Sequence, residues 1–370
     1  MKKLKFNIMY LILLFPLSLG LSYLAARSPI IVEQAYSNFI YRYIAQFISN
    51  ITGIFPFSVA ELIIVATIIT VLVNLIYRLN EIFKQPKEWK SILLKQLKLA
   101  AITISVIYFV FLIVWGLNYH REPIASMLNL EVTASSVEEL VLLNKYLIEQ
   151  ANELRALVVE DTSGITISPK GTRDILNRAE LGFIVASEIY PELGGRYGRP
   201  KSALFSTILS YQGIGGVYFP FTAEPNVNVN RPHFLIPFTT MHEIAHQRGV
   251  AREDEANYIG YITSIMHPDY DFQYSGTMMA LNYSMGALRR YDIEKHNELR
   301  AGFSPGVVRD FAAWSEHSQK HQGVVREAAT RINNAYLQAN AQMDGVHSYG
   351  RMVDLLIAYY RQTETIQIMY

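Results

Sequence analysis

Three stretches of about twenty apolar residues fall within the first third of the chain, and they limit what it can fold into more than any other feature. The first runs from about Ile8 to Ala26, the second from Phe57 to Tyr77 with Glu61 near its start, and the third from Leu99 to Leu117. Each is long enough to cross a bilayer as a helix, since about twenty residues rising ~1.5 Å apiece match the ~30 Å hydrocarbon core. Composition agrees. Of the 370 residues, 51% are hydrophobic and 18% charged, an apolar bias beyond that of a typical soluble protein. The opening Met1-Lys2-Lys3-Leu4-Lys5 and the small residues of Leu24-Ala25-Ala26-Arg27-Ser28 would also suit a cleaved leader. The first stretch is long for a leader, however, and two further stretches follow it, so three transmembrane helices are expected.

Basic residues set the expected orientation. Arg78, Lys84, Lys87, Lys90, Lys95 and Lys98 lie between the second and third stretches, whereas only Arg27 and Arg42 lie between the first and second. By the positive-inside rule the N-terminus and the Arg78 to Lys98 connection face the cytoplasm, which leaves everything after the third stretch outside it. The chain divides accordingly into a membrane domain, residues 1–117, and an extracytoplasmic domain, residues 118–370. Between the first two spans, Gln34 to Ile51 repeats apolar residues at spacings of three and four. That pattern suits a helix along the membrane surface and equally one packed beneath the outer domain.

The outer domain reads as mainly α. Ser136 or its neighbour caps a helix continuing to about Val159, and Thr172 to Ile189 forms another. Gly213 to Asn230, with turn glycines followed by strict alternation, is the one β-like region and predicts a small sheet or hairpin. Further helices are expected over Glu253 to Met266, Ser275 to Arg300, Gly306 to Gln319, Val324 to Met343 and Tyr349 to Thr363. A net charge of +1 argues against a nucleic-acid partner, and the absence of cysteine excludes disulfides, Cys-ligated zinc and thiol nucleophiles.

Chemistry concentrates at His242-Glu243-Ile244-Ala245-His246. On a helix, positions i and i+4 share a face, so both imidazoles can grip one ion while Glu243, about 100° round, holds a water. Pro237 suits the first turn, Thr239 or Thr240 can cap, and Gly249 stands where a C-terminal glycine should. Thr240 and Glu243 also have capping-box spacing, which gives Glu243 a structural explanation but leaves the histidines without one. Zinc needs a third protein ligand. The metzincin pattern would put histidine at position 252, and Arg252 has no lone pair to offer. A carboxylate must serve. If a second helix runs back from the Gly249 turn, Glu253 comes near His246 and Asn257 near His242 or Glu243, while Glu255 points about 200° away. Glu253 is the preferred ligand, Glu255 the fallback, and Asn257 a partner orienting a histidine.

His242-Glu243-x-x-His246 followed by Glu253-x-x-Ala256-Asn257 resembles the gluzincin zinc metallopeptidases, whose pattern is HExxH followed by ExxxD, and in particular their integral-membrane members. Ser210-Tyr211-Gln212-Gly213, Phe219-Pro220-Phe221-Thr222 and Trp115-Gly116-Leu117-Asn118-Tyr119, taken with the motif, resemble a bacterial membrane-protein family of unknown function. The sequence departs from the gluzincins in having Asn257 for the usual Asp and a short spacer from His246 to Glu253. The resemblance implies a Zn²⁺-dependent peptidase in the bacterial cytoplasmic membrane, acting on a peptide or protein of the cell envelope, with membrane lipid about its spans. Glu243 would then be the general base, and an extended substrate would lie along a strand within Gly216 to Asn230. An oxyanion-stabilising residue is also expected, with Tyr218, His267, Tyr283, Arg289 and His296 available. The alternative is a non-catalytic envelope protein whose metal pins two helices together and whose outer domain recruits partners.

Overall fold

A computed structural model describes residues 8–340, 342 and 351–369. The protein is mainly α, with one three-stranded sheet. Among the described residues three helices are long and apolar enough to cross a membrane: Ile8–Ala26, Val59–Lys84 and Trp89–Val114. Only 6%, 6% and 11% of their most apolar windows is buried within the protein, so their Leu, Ile and Val side chains need a lipid environment. Hydroxyls within them turn back on the helix, as in Thr67 to the Ile63 carbonyl and Thr70 to that of Ala66, both at 2.7 Å.

The second and third spans extend past the expected limits at one end because their polar flanks continue the helix, leaving a short turn between Lys84 and Trp89 where a longer basic loop was expected. The third ends at Val114, short of Leu117, where Gly116–His120 tightens into a 3-10 turn. Lys2, Lys3 and Lys5 lie outside the described residues.

The segment between the first two spans packs beneath the outer domain, one of its two expected roles. Pro29–Ile31, a π-helical Val32–Tyr41 and Arg42–Thr52 form one continuous helical run. Its inner face buries Tyr36, Tyr41, Ala45 and Ser49 against the outer domain, while Phe39, Tyr43, Phe47 and Ile51 stand exposed opposite.

In the outer domain, Ser136 and Glu139 form the expected capping box at the start of Val137–Arg155. That helix ends before Val159. The expected Thr172 to Ile189 helix divides into Thr172–Arg178 and Glu180–Ser187. Ser275 to Arg300 likewise divides: Tyr270–Tyr291 stops at Asp292, whose carboxylate accepts the Lys295 N–H and caps Ile293–Arg300. Pro305–Lys320 and Val324–Ala339 follow, then Met352–Met369. The expected boundaries at Met343 and Tyr349 lie outside the described residues.

The sheet is ordered β1-β3-β2, with β1 Lys201–Ser202, β2 Gly216–Phe219 and β3 Glu224–Val227. β2 and β3 form the antiparallel pair expected near the glycines, with Gly216 opposite Val227 and Phe219 opposite Glu224. β1 joins β3 in parallel. These strands fasten the domain to the second span. Glu224, 2% exposed, pairs with Lys201 and accepts the Val59 and Ala60 N–H groups at 3.2 and 2.7 Å. It thereby caps the second span and satisfies two N–H groups that a helix start leaves open. Lys201 Nζ also donates to the Thr52 carbonyl at 2.7 Å. Glu224→Ala would leave the Lys201 ammonium buried without its counter-ion, at a cost of about 3–5 kcal/mol. A clear fall in Tm in detergent is expected, with much of it recovered when Lys201→Met is added to Glu224→Leu.

Candidate metal centre

The HExxH residues lie on Ile236–Gln247, a helix buried along its whole length between β3, Glu253–Ile265 and Tyr270–Tyr291. It starts earlier than the threonines suggested. Pro237 occupies the first turn, and Thr239 and Thr240 sit inside the helix, donating to the Leu235 and Ile236 carbonyls at 2.8 and 2.7 Å. With Thr240 so engaged, the capping-box explanation of Glu243 falls away.

The helix closes as its glycine demands. Gly249 adopts φ +89°, its N–H donates to His246, and the Val250 N–H reaches the Ala245 carbonyl, which together form a Schellman turn. The same turn orients a histidine: the Val250 carbonyl lies 2.7 Å from His246 Nδ1. It accepts the ring proton there and leaves Nε2 with its lone pair free.

The next helix, Glu253–Ile265, begins with Glu253 itself. Glu253 Oε2 stands 3.2 Å from His242 Nε2 and 3.6 Å from His246 Nε2, and the two ring nitrogens are 3.1 Å apart. Tetrahedral zinc bonds to nitrogen and oxygen place neighbouring donors about 3.3 Å apart. The three atoms already have that spacing, so the residues fit the ion. The fallback, Glu255, is turned away as its place on the helix requires, and its carboxylate accepts from Arg252 and from the Ile124 N–H. Asn257 makes no hydrogen bond to either histidine, and its buried amide nitrogen has no hydrogen-bond partner among the described residues. His242 Nδ1 is buried without a hydrogen-bond partner among the described residues.

The groups of the centre act strongly on one another through their charges. Burial pushes Glu253 upward, but the two histidines outweigh it and hold the carboxyl well below the usual range. Burial lowers His246, but Glu253, Glu243 and the Val250 carbonyl outweigh that and raise it to about 9. Two carboxylates thus share a poorly hydrated space with two rings, and the positive charge they call for can be a proton on His246 or a bound metal ion. Glu243 is lifted mainly by burial, with the histidines pulling it back. Its carboxylate lies against the edge strand β2, where a Cβ on Gly216 would stand 2.5 Å from Oε1.

Of the five oxyanion candidates, Tyr283 and Tyr218 lie at the centre, the Tyr218 ring with its centroid 6.5 Å from that of His246. Tyr283 neighbours Glu253 and Arg231, and it is raised to about 12, chiefly by burial and then by the Glu253 charge. The Tyr218 hydroxyl is bonded to that of Tyr41 at 3.0 Å. His267 bonds the Arg178 carbonyl and the Asp269 N–H, Arg289 is exposed, and half-buried His296 pairs with Asn297.

Two neighbours were not foreseen. Arg231 donates to Thr239 Oγ1 at 2.9 Å, and the charges of Tyr283 and Glu243 both act on its guanidinium. Trp115, the residue after the third span, sets its ring edge-on to His246 with centroids 5.9 Å apart and packs on Tyr218 at 4.8 Å. Its place at the end of an apolar stretch was visible in the sequence, but nothing there linked it to the motif.

A family model described as a protein of unknown function, DUF3810, matches residues 36–357. The chain belongs to this family. The DUF3810 match takes in the second and third spans, Trp115, the sheet and every residue of the centre. Neither the curated proteins nor the solved structures contain a match.

Proposed function

We propose that this DUF3810 protein is a membrane-anchored zinc peptidase of gluzincin type. The observation that carries the reading is the convergence of His242 Nε2, His246 Nε2 and Glu253 Oε2 at zinc-ligand spacing, with the Glu243 carboxylate beside them. A zinc ion held there would polarise a bound water and the substrate carbonyl. Glu243, lifted by burial, would take a proton from the attacking water as the water oxygen joins the carbonyl carbon, and would deliver it to the leaving nitrogen as the C–N bond breaks, giving a carboxylate and an amine. Tyr283 and Arg231 offer donors for charge developing on the carbonyl oxygen. In this reading the N-terminus and the connection between the second and third spans are cytoplasmic, and residues 118–370 form an extracytoplasmic domain on a bacterial cytoplasmic membrane.

Gly216→Ala probes the reading without touching a ligand. Its Cβ must displace the Glu243 carboxylate, and a misplacement of about 1 Å costs on the order of 10²-fold in rate. Peptide hydrolysis by the zinc-loaded variant should fall by that order while its zinc content stays at one per chain.

The second reading, a metal that only braces the fold, draws on the ties between the Gly249 turn and the membrane segments. Arg121 donates to the Gly249 carbonyl at 3.0 Å while forked onto Glu33, and the Tyr41 hydroxyl lies within 3.3 Å of the His246 and Gln247 carbonyls. Under that reading chelation melts the outer domain, and no peptide is cleaved.

A further inference from the structure

We infer that the substrate is itself tethered to the membrane, a polypeptide cut close to its apolar anchor; this inference rests on the peptidase reading above. Two independent features of the protein point to it.

The first is the depth of the centre. Trp115 directly follows the third span and touches the His246 ring, and Tyr41 and Arg121 bond the turn that closes the HExxH helix. A residue at the end of a span lies at the lipid boundary, where Trp and Tyr concentrate. The centre is therefore held within about one helix diameter, roughly 10 Å, of that boundary.

The second is an apolar ledge that runs from the lipid-facing surface to the catalytic base. Leu204 and Phe205 lead into the short helix Ser206–Gln212, and with Ile208 and Tyr211 on it they are 44–55% exposed, the Tyr211 ring resting edge-on against His321. The ledge is fastened to the lipid-facing surface, because Glu61 in the first turn of the second span accepts the Leu204 and Phe205 N–H groups at 2.6 and 3.0 Å. Its far end leads into Gly213–Gly216 and β2, where Val217 is exposed and Gly216 abuts Glu243. A row of leucine, phenylalanine and isoleucine beside the bilayer suits an apolar ligand better than a polar peptide from free solution. The apolar residues flanking a membrane anchor would cover it, and a chain laid along it from the bilayer arrives at the edge strand beside Glu243.

The test uses the full zinc-loaded chain in lipid vesicles with a pool of random decapeptides. One portion is free in solution, and the other is joined to a polyleucine span in the same vesicles. The readout is the ratio of tethered to free cleavage for the native chain and for Leu204→Asp/Ile208→Asp, with zinc content confirming that the variant is folded. The ratio should fall at least about tenfold in the variant, the loss expected when one or two large apolar contacts are removed. An unchanged ratio, with both portions cleaved, overturns tethered recognition and leaves the peptidase reading standing. Cleavage of neither portion by the zinc-loaded native chain overturns the peptidase reading, and this inference with it.

Discussion

Zinc should leave the protein when His242 or Glu253 is replaced by alanine, and should stay when Glu255 becomes glutamine. His242 and Glu253 each supply one of three donors packed 3.1–3.6 Å apart, whereas the Glu255 carboxylate is committed to Arg252 and Ile124. Losing even an outer partner of a ligand weakens a metal about 10–100-fold, and losing a ligand itself should exceed that. Zinc per chain after gel filtration is the measure: near one for the native chain and Glu255→Gln, near zero for His242→Ala and Glu253→Ala. Ligand loss should also lower the domain's stability, because an ion that binds only the folded state stabilises it by mass action. Retention of zinc by Glu253→Ala together with its loss from Glu255→Gln would reverse the ligand assignment.

The Glu243→Gln substitution should separate binding from chemistry. Glutamine fills the same space against Gly216 but cannot take a proton from water, so hydrolysis should fall by about 10²–10⁴-fold while zinc stays bound. Because Glu243 donates none of the three converging atoms, an equal loss of zinc and activity would instead mark it as part of the metal's support.

How far the sequence revealed these features depended on the range of the forces involved. The spans were plain, because about twenty apolar residues have few fates other than lipid. The histidine pair and Glu253 were also readable, because one helix, one glycine turn and one returning helix fix their relation over only twelve residues. Glu253 and Glu255 could be ranked by angle alone, and Glu255 lies on the far side where Arg252 and Ile124 meet it. Angle misled for Asn257. It shares the Glu253 face, but a shared face does not say which neighbour an amide meets, and its amide nitrogen is left without a hydrogen-bond partner among the described residues. Thr239 and Thr240 were misread as caps because local spacing allowed it, whereas packing of Phe234, Leu235 and Ile236 in the core starts the helix earlier. Contacts across long separations left no local mark: Trp115 against His246, Glu224 capping the second span, and Glu61 fastening the ledge. Helix breaks at Ala179 and Asp292 were equally hidden, since the apolar spacing continues through both.

The most direct test of the peptidase reading compares the zinc-loaded native chain with zinc-loaded Glu243→Gln on one peptide pool, counting new N-termini by mass spectrometry. Peptidase action predicts new termini from the native chain and next to none from the variant at equal zinc content. No cleavage by the fully loaded native chain, or equal cleavage by both, would contradict it.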